Sequence, residues 1–101
     1  MFGLDEKALQ AIRGVLEKYV EIDETKVFGS RALGTQRPNS DIDLVLSGKT
    51  LNATIVGKVR SDLEELPLPY KFDVIAYHLI EHADLKDHID RVGKSLFRRA
   101  L

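Results

Sequence analysis

Residues 26–46 read KVFGSRALGTQRPNSDIDLVL and place two short β-prone runs on either side of a polar loop. The first run, Lys26 to Phe28, stops at Gly29 and Ser30, where a tight backbone turn costs little because glycine has no Cβ. The segment from Arg31 to Ser40 is rich in glycine, proline and polar residues, so at most one helical turn is expected in it. This stretch therefore predicts a strand, a tight turn, a loop and a second strand.

The second run, from Asp41 to Leu46, alternates acidic and apolar residues, and such alternation is typical of a strand. At roughly 3.3 Å per residue, Asp41 and Asp43 leave the same face about 6.6 Å apart. The apolar side chains face the opposite way: Ile42, Leu44 and Leu46. Because Asp is depleted in strands and an unpaired buried carboxylate is costly, a positive group is expected beside the two acids.

Three amphipathic helices are predicted around these strands. Apolar residues recur at helical spacing from Asp5 to Val20, and Asp5 is placed to cap the first turn. A second helical pattern lies between Asn52, which is suited to cap it, and Pro67, which is suited to stop it. A last helix is predicted from about Ala83 to Val92, with Gly93 as its C-terminal stop.

A third strand is predicted from Phe72 to Tyr77, in which Asp73 shares a face with Ile75 and Tyr77. The tail from Lys94 to Leu101 is compatible with a short strand or a helix. Helices that alternate with strands predict an α/β fold of the α+β type, with a mixed β-sheet flanked by helices in the order α-β-α-β-α-β-α. The length of 101 residues predicts one domain over residues 1–101.

Composition and charge limit the classes of function. The chain has 15 basic and 16 acidic residues and a formal net charge of -1, so no overall field draws it to nucleic acid or to an anionic membrane. No membrane contact and no direct nucleic-acid contact are therefore expected. The absence of cysteine excludes disulfides and thiol ligands, and no apolar run approaches a membrane span or a signal-peptide core. A cytoplasmic location is the default expectation.

Three aspartates in predicted strands, Asp41, Asp43 and Asp73, are suited to hold a hard divalent cation. Mg²⁺ prefers carboxylate oxygens and substrate phosphates and keeps several waters, so two or three acids from adjacent strands suffice. Two carboxylates on one strand face can bridge two such ions, which clamp the entering and leaving oxygens of an in-line displacement. Asp73 would complete this site and is a candidate to accept the proton of the attacking hydroxyl.

The turn at Gly29 and Ser30 is suited to bind phosphate. A strand that ends in Gly and then Ser offers close backbone N–H groups and a hydroxyl to anionic oxygens. Arg31 and Arg37 lie in the same loop, where they either contribute charge-assisted contacts to a triphosphate or remain solvated loop charges. Together the turn and the acids predict a site for a metal-bound nucleoside triphosphate.

Simpler interpretations of the same residues remain open. An Asp-x-Asp strand can be a solvated sheet edge, and Asp73 can pair with a surface lysine. His78 and His82 are four residues apart, which is compatible with metal binding. Without a spaced third ligand, surface helix positions are favoured for these two and for His88.

Residues 28–46, FGSRALGTQRPNSDIDLVL, resemble the signature of the DNA polymerase β nucleotidyltransferase superfamily: a Gly-Ser turn, a loop, then an Asp-x-Asp strand. Residues 71–77, KFDVIAY, resemble its third-carboxylate strand, and residues 89–97, IDRVGKSLF, resemble the C-terminal element of its small members, the minimal nucleotidyltransferases. The resemblance implies a polymerase β-like nucleotidyltransferase domain over residues 1–101. By position it implies nucleotide binding by Gly29 and Ser30 and catalytic metal binding by Asp41, Asp43 and Asp73.

The resemblance also implies a substrate and a partner. Larger members of the superfamily add a helical domain that closes over the nucleotide, so for a chain of this length a second chain is expected to supply those contacts. Minimal nucleotidyltransferases are typically antitoxins made alongside a HEPN-domain toxin that cleaves RNA. The implied function is Mg²⁺-dependent transfer of AMP from ATP to a tyrosine hydroxyl of such a toxin, within a hetero-oligomer.

Two other functions remain open at this point. One is an antitoxin that neutralises its partner by binding alone, with a vestigial metal site. The other is nucleotidyl transfer to a small molecule such as an aminoglycoside, against which the absence of a substrate domain argues.

Overall fold

A four-stranded mixed sheet forms the centre of the protein in the computed structural model, which describes residues 1–100. Its strands lie in the order β3-β2-β1-β4. The strand bounds are β1 Glu24–Phe28, β2 Ile42–Ser47, β3 Phe72–Ala76 and β4 Lys94–Arg98. Strand β1 pairs antiparallel with both β2 and β4, whereas β2 and β3 run parallel. The predicted mixed sheet is confirmed.

Four α-helices connect and flank these strands. Their bounds are α1 Glu6–Glu17, α2 Ser30–Leu33, α3 Ala53–Glu64 and α4 Ala83–Val92. A short 3-10 helix, Tyr77–Leu79, joins β3 to α4. The predicted order α-β-α-β-α-β-α is therefore confirmed, and β4 follows it. Strand β4 occupies most of the tail that was compatible with either a strand or a helix; Leu101, the last residue of that tail, lies outside the described residues.

Two of the helix starts are capped as the sequence predicts. The side chain of Asp5 accepts a hydrogen bond from the backbone N–H of Ala8 at 2.8 Å, and that of Asn52 accepts one from Ile55 at 2.9 Å. Such caps satisfy backbone donors that have no partner within the helix, and each stabilises a helix by about 1 kcal/mol. Helix α4 ends at Gly93, as predicted.

The two faces of the sheet carry different apolar clusters. On one face, the larger cluster joins α1 and α3 to β-strand residues that include Val27, Leu44 and Leu96. On the other face, α4 packs through Ile89 against Phe28 and Val45. Alternation along each strand explains this division, because successive side chains point to opposite faces. The smaller cluster leaves room on its face for polar residues, and the aspartates of β2 and β3 lie there.

Helix α1 is shorter than the predicted Asp5–Val20. It ends at Glu17, and Val20, which lies beyond that end, is 76% exposed. The Tyr19 hydroxyl donates a hydrogen bond to Asp62 of α3, and this contact raises the pKa of Tyr19 to about 12. Arg99 donates to the backbone carbonyls of Glu17, Tyr19 and Ile22. Arg99 of the C-terminal tail thus holds the turn that ends α1.

The other differences concern strand ends. Strand β2 begins at Ile42, whose N–H donates to Lys71 O at 2.9 Å, so Asp41 precedes the strand. Strand β3 ends at Ala76, because Tyr77 turns into the 3-10 helix and its hydroxyl donates to Asp90 of α4 at 2.7 Å. Within the described chain no helix is long and apolar enough to cross a lipid bilayer.

Candidate active site

Asp43 and Asp73 are direct neighbours across the parallel strands β2 and β3. Residues paired in this way project from the same face of a sheet. That face is the one covered by α4, because Val45, two residues after Asp43 on β2, packs in the α4 cluster. Asp43 is half-buried and Asp73 is exposed. The sheet thus brings two of the three predicted carboxylates together beside an opening to solvent.

The environment of Asp43 disfavours its charged form. Burial raises the pKa of its carboxyl above the ordinary range, and the nearby charges of Asp73 and Asp41 raise it further. Arg31 and His88 oppose this shift. Asp41 precedes β2 and is exposed, yet it lies near enough to influence Asp43. The three predicted acids therefore share one electrostatic environment.

These acids do not form a closed metal cage. Across residues 1–100, no group of three or more His, Asp or Glu side chains is arranged to hold a metal ion. Nor does any ion pair of the described chain involve Asp41, Asp43 or Asp73; the pairs join Arg60 to Glu64, Arg91 to Asp87 and Arg98 to Glu24. The site is an open cluster of negative charge without a protein cation paired to it.

Gly29 lies against this cluster at the end of β1. Its φ of 71° and ψ of -152° are accessible to glycine and strained for other residues. A Cβ added here would collide with Asp43 Oδ2. The Gly29 carbonyl accepts hydrogen bonds from the N–H groups of Ala32 and Leu33, both at 3.2 Å, and so starts α2 with Ser30 as its first residue. The predicted tight turn at Gly29 and Ser30 is confirmed.

Arg31 is buried, with 2% of its surface exposed. Its guanidinium donates to Ser40 O through Nε at 3.2 Å and Nη2 at 2.8 Å, and to Phe2 O through Nη1 at 3.0 Å. The group also lies 4.9 Å from the ring centroid of Tyr70. The guanidinium is therefore engaged within the protein and is not the solvated loop charge that the sequence left open as one alternative. Instead the side chain fixes the two ends of the α2–β2 loop.

Arg37 has the opposite environment. The residue is exposed, and its guanidinium has no hydrogen-bond acceptor or carboxylate partner within residues 1–100. Only its backbone is engaged: its N–H donates to the hydroxyl of Ser40 at 2.8 Å, and its carbonyl accepts from the N–H of Ser40 at 3.0 Å. The Arg37 side chain is free to approach an anion.

His88 is a contact of this site that the sequence reasoning missed. Surface positions were expected for all three histidines, and His78 and His82 are exposed. His88 on α4 is half-buried, and its Nε2 accepts a hydrogen bond from the N–H of Gly29 at 3.2 Å. One signal for it exists in the sequence: His88 lies three residues after Leu85 and four before Val92, at the edge of the helix stripe that faces the sheet.

The fold and the site together define a class of protein. The sequence matches the family model for Polymerase beta, Nucleotidyltransferase over residues 10–100. The chain therefore belongs to the polymerase beta nucleotidyltransferase family. This membership confirms the resemblance drawn from the Gly-Ser turn, the Asp-x-Asp strand and the later strand aspartate.

Several solved structures share this fold. A chain of a toxin–antitoxin complex with AMP-PNP is 23% identical, with a TM-score of 0.73, and the match covers 95% of this chain and 75% of that chain. A chain of the toxin–antitoxin complex MntA–HepT is 18% identical, with a TM-score of 0.70 and coverages of 94% and 74%. A chain of the tri-AMPylated Shewanella oneidensis HEPN toxin in complex with MNT antitoxin is 17% identical, with a TM-score of 0.71 and coverages of 95% and 74%. The comparison with curated proteins gives no significant match.

Proposed function

We propose that this protein is a Mg²⁺-dependent nucleotidyltransferase that acts as an antitoxin, transferring AMP from ATP to a tyrosine hydroxyl of a HEPN-domain toxin. The observation that carries the proposal is the half-buried Asp43, held against the Gly29–Ser30 turn with two other carboxylates near it. Family membership supports the reaction class. The partner and the modified residue type are inferred from similar complexes, one with AMP-PNP and one with an AMPylated HEPN toxin.

The donor set fits magnesium bound together with a nucleotide. Asp41, Asp43 and Asp73 offer hard carboxylate oxygens, and burial and mutual repulsion disfavour the charge of Asp43 unless a cation is added. A closed protein cage is not required, since Mg²⁺ usually takes one or two carboxylates and completes its octahedron with water and substrate phosphates. When bound there, Mg²⁺ would neutralise charge on the triphosphate and on the pyrophosphate leaving group.

The protein's own groups have distinct roles in the proposed reaction. The Ser30 hydroxyl and the backbone N–H groups of Ser30 and Arg31 donate hydrogen bonds to phosphate oxygens, and the exposed Arg37 guanidinium adds charge. In this proposal the phosphate contact of Arg31 comes from its backbone, because its guanidinium is engaged elsewhere.

The transfer itself is an in-line displacement at the α-phosphorus. The tyrosine oxygen of the partner forms a bond to the α-phosphorus while the bond to the bridging α–β oxygen breaks and pyrophosphate leaves. Asp73 is exposed beside Asp43, so we assign it the role of accepting the tyrosine proton. The products are AMP-tyrosine and pyrophosphate.

Mass spectrometry tests this proposal. The protein is incubated with Mg-ATP and the HEPN-domain protein encoded beside it, and the intact mass of that partner is measured. The expected result is addition of one or more AMP groups, located on tyrosine by fragmentation. Transfer should fall at least about 100-fold in Asp43→Asn. Asp23→Asn should retain it, because Asp23 is an exposed residue just before β1, at the end of the sheet opposite to Asp43.

A second candidate function is neutralisation by binding alone. This function would not need the acidic site, which within residues 1–100 is an open arrangement and not a closed metal cage. Here the Asp41→Asn and Asp43→Asn variants would still neutralise the partner, whereas the catalytic proposal requires that both lose this effect.

Absence of transfer from all four nucleoside triphosphates would contradict the catalytic proposal. Protection of cells against an aminoglycoside would instead support the small-molecule alternative.

A further inference from the structure

Helix α4 touches the phosphate-binding turn through one side chain. His88 Nε2 accepts a hydrogen bond from Gly29 N–H at 3.2 Å. The imidazole also packs edge-on against Phe28, with ring centroids 6.4 Å apart and an interplanar angle of 79°. In this contact the imidazole nitrogen is the acceptor and the backbone N–H of Gly29 is the donor.

The hydrogen bond to His88 constrains the Gly29 backbone, and the conformation of Gly29 sets the position of Ser30. Gly29 has a φ of 71°, and its N–H donates to His88 of α4. The carbonyl of the same residue begins α2. A rotation at Gly29 would therefore shift both Ser30 and the space beside Asp43. Glycine gives the turn its shape but also leaves it more freedom to move than any other residue.

We infer that His88 is a positioning residue that locks the Gly29 peptide and, through it, sets the phosphate-binding geometry of Ser30. Its effect on nucleotide binding rests on the proposed function, whereas its effect on Gly29 does not. His88 contacts neither the substrate nor the reacting atoms in this scheme. Phe28 holds the ring in place, and α4 supplies the rigid support.

The test compares three substitutions of His88 that differ in where an acceptor is placed. His88→Gln keeps a carbonyl oxygen near the position of Nε2, His88→Asn places its oxygen too close to the helix to reach Gly29, and His88→Leu has no acceptor. His78→Leu is the matched control, because His78 is exposed and its ring makes no hydrogen bond within the described chain. Thermal unfolding identifies the variants that are folded.

The first readout is amide hydrogen exchange at Gly29, measured by nuclear magnetic resonance without nucleotide. We expect the exchange rate to rise at least about tenfold in His88→Leu and His88→Asn, and to stay near the wild-type rate in His88→Gln and His78→Leu. If His88→Leu does not fold, the comparison of Gly29 exchange in His88→Asn and His88→Gln tests the inference. Unchanged exchange in a folded Leu or Asn variant, or equal loss of protection in Asn and Gln, would overturn the inference.

The second readout is the affinity for AMP-PNP with Mg²⁺, measured by calorimetry. A single hydrogen bond of this kind changes an equilibrium constant by about 2- to 10-fold. We therefore expect binding to weaken by that factor in His88→Leu and His88→Asn and to recover in His88→Gln. In turnover, KM for ATP should rise more than kcat falls. Wild-type affinity in Leu and Asn would overturn the positioning role. If the wild-type protein binds no nucleotide, the proposed function fails. The effect of His88 on the Gly29 backbone is then tested by the hydrogen exchange of Gly29 alone.

Discussion

At the scale of single residues, the surroundings of Asp43 disfavour the charged form of its carboxyl group. Burial and two neighbouring carboxylates raise its pKa in the folded protein, while Arg31 and His88 only partly compensate. A folded-state pKa above the unfolded value means that the folded protein binds the proton more tightly. The resulting stabilisation is present below the unfolded pKa and is lost as the pH rises through the folded pKa.

Asp43→Asn should therefore raise the free energy of unfolding at pH 7, because the neutral amide removes the disfavoured charge. The gain should disappear below about pH 3, where the Asp43 carboxyl is protonated in both states. Urea unfolding at the two pH values measures it. Asp23→Asn, at an exposed aspartate, is the control and should show no such difference. A loss of stability in Asp43→Asn at pH 7 would count against the described environment.

Gly29 is the other residue on which the site depends. An alanine there would have to adopt a φ of 71°, and its Cβ would collide with Asp43 Oδ2. Gly29→Ala should therefore lower the free energy of unfolding by about 1–3 kcal/mol. The control is Gly14→Ala in α1, where an added Cβ meets nothing within 4 Å and should stabilise by about 0.5–1 kcal/mol. Equal effects of the two substitutions in chemical denaturation would contradict this account of the turn.

At the scale of elements, the loop between α2 and β2 is held by Arg31. The side chain spans from Phe2, before α1, to Ser40, just before Asp41. This contact fixes the point at which the chain enters β2, the strand that carries Asp43. A buried arginine with three hydrogen bonds to backbone carbonyls is thus a structural part of the site.

Arg31→Met should lower the free energy of unfolding by about 2–3 kcal/mol, because the carbonyls of Phe2 and Ser40 lose their charged donor. Arg37→Met, on the same loop, should change it by no more than about 0.5 kcal/mol, since the Arg37 side chain is exposed. Chemical denaturation of the two variants checks the contrast. If Arg37→Met were the more destabilising of the two, the roles assigned to these arginines would be reversed.

Local signals explain which elements were predictable. Asp5, Asn52 and Gly93 mark helix ends through backbone groups within a few residues, and the structure confirms all three. The Gly29–Ser30 turn was predictable for the same reason. The 3-10 helix at Tyr77 and the strand β4 depend on distant partners: Tyr77 on Asp90, and β4 on its pairing with β1. A single sequence carries little information about such contacts.

The candidate site divides in the same way. Alternation along the strand predicted the shared face of the aspartates and their separation from Ile42 and Leu44, which lie in the core. The burial of Arg31 and the contact of His88 with Gly29 arise from segments far apart in the chain. Spacing within the loop could not reveal either one.

At the scale of the whole molecule, one face of the sheet carries the larger apolar core and the other carries the acidic residues. Helices α1 and α3 cover one face and provide the larger core. Helix α4 covers only part of the other face, and the open part lies at the aspartates of β2 and β3. Stability therefore comes mainly from one side of the sheet, and the other side is free to carry a site whose charges oppose one another. That one domain extends over residues 1–101 remains a prediction.

Binding of a metal–nucleotide complex at the acidic face is the claim on which the account depends. The most direct measurement is paramagnetic broadening of backbone amide signals by Mn²⁺, used in place of Mg²⁺, in the presence of AMP-PNP. We expect the strongest broadening at Ser30, Asp43 and Asp73, with much weaker broadening at Ile12 and Leu16 of α1 across the sheet, and we expect Asp43→Asn to remove the pattern. Uniform weak broadening, or broadening centred elsewhere and unaffected by Asp43→Asn, would contradict the account.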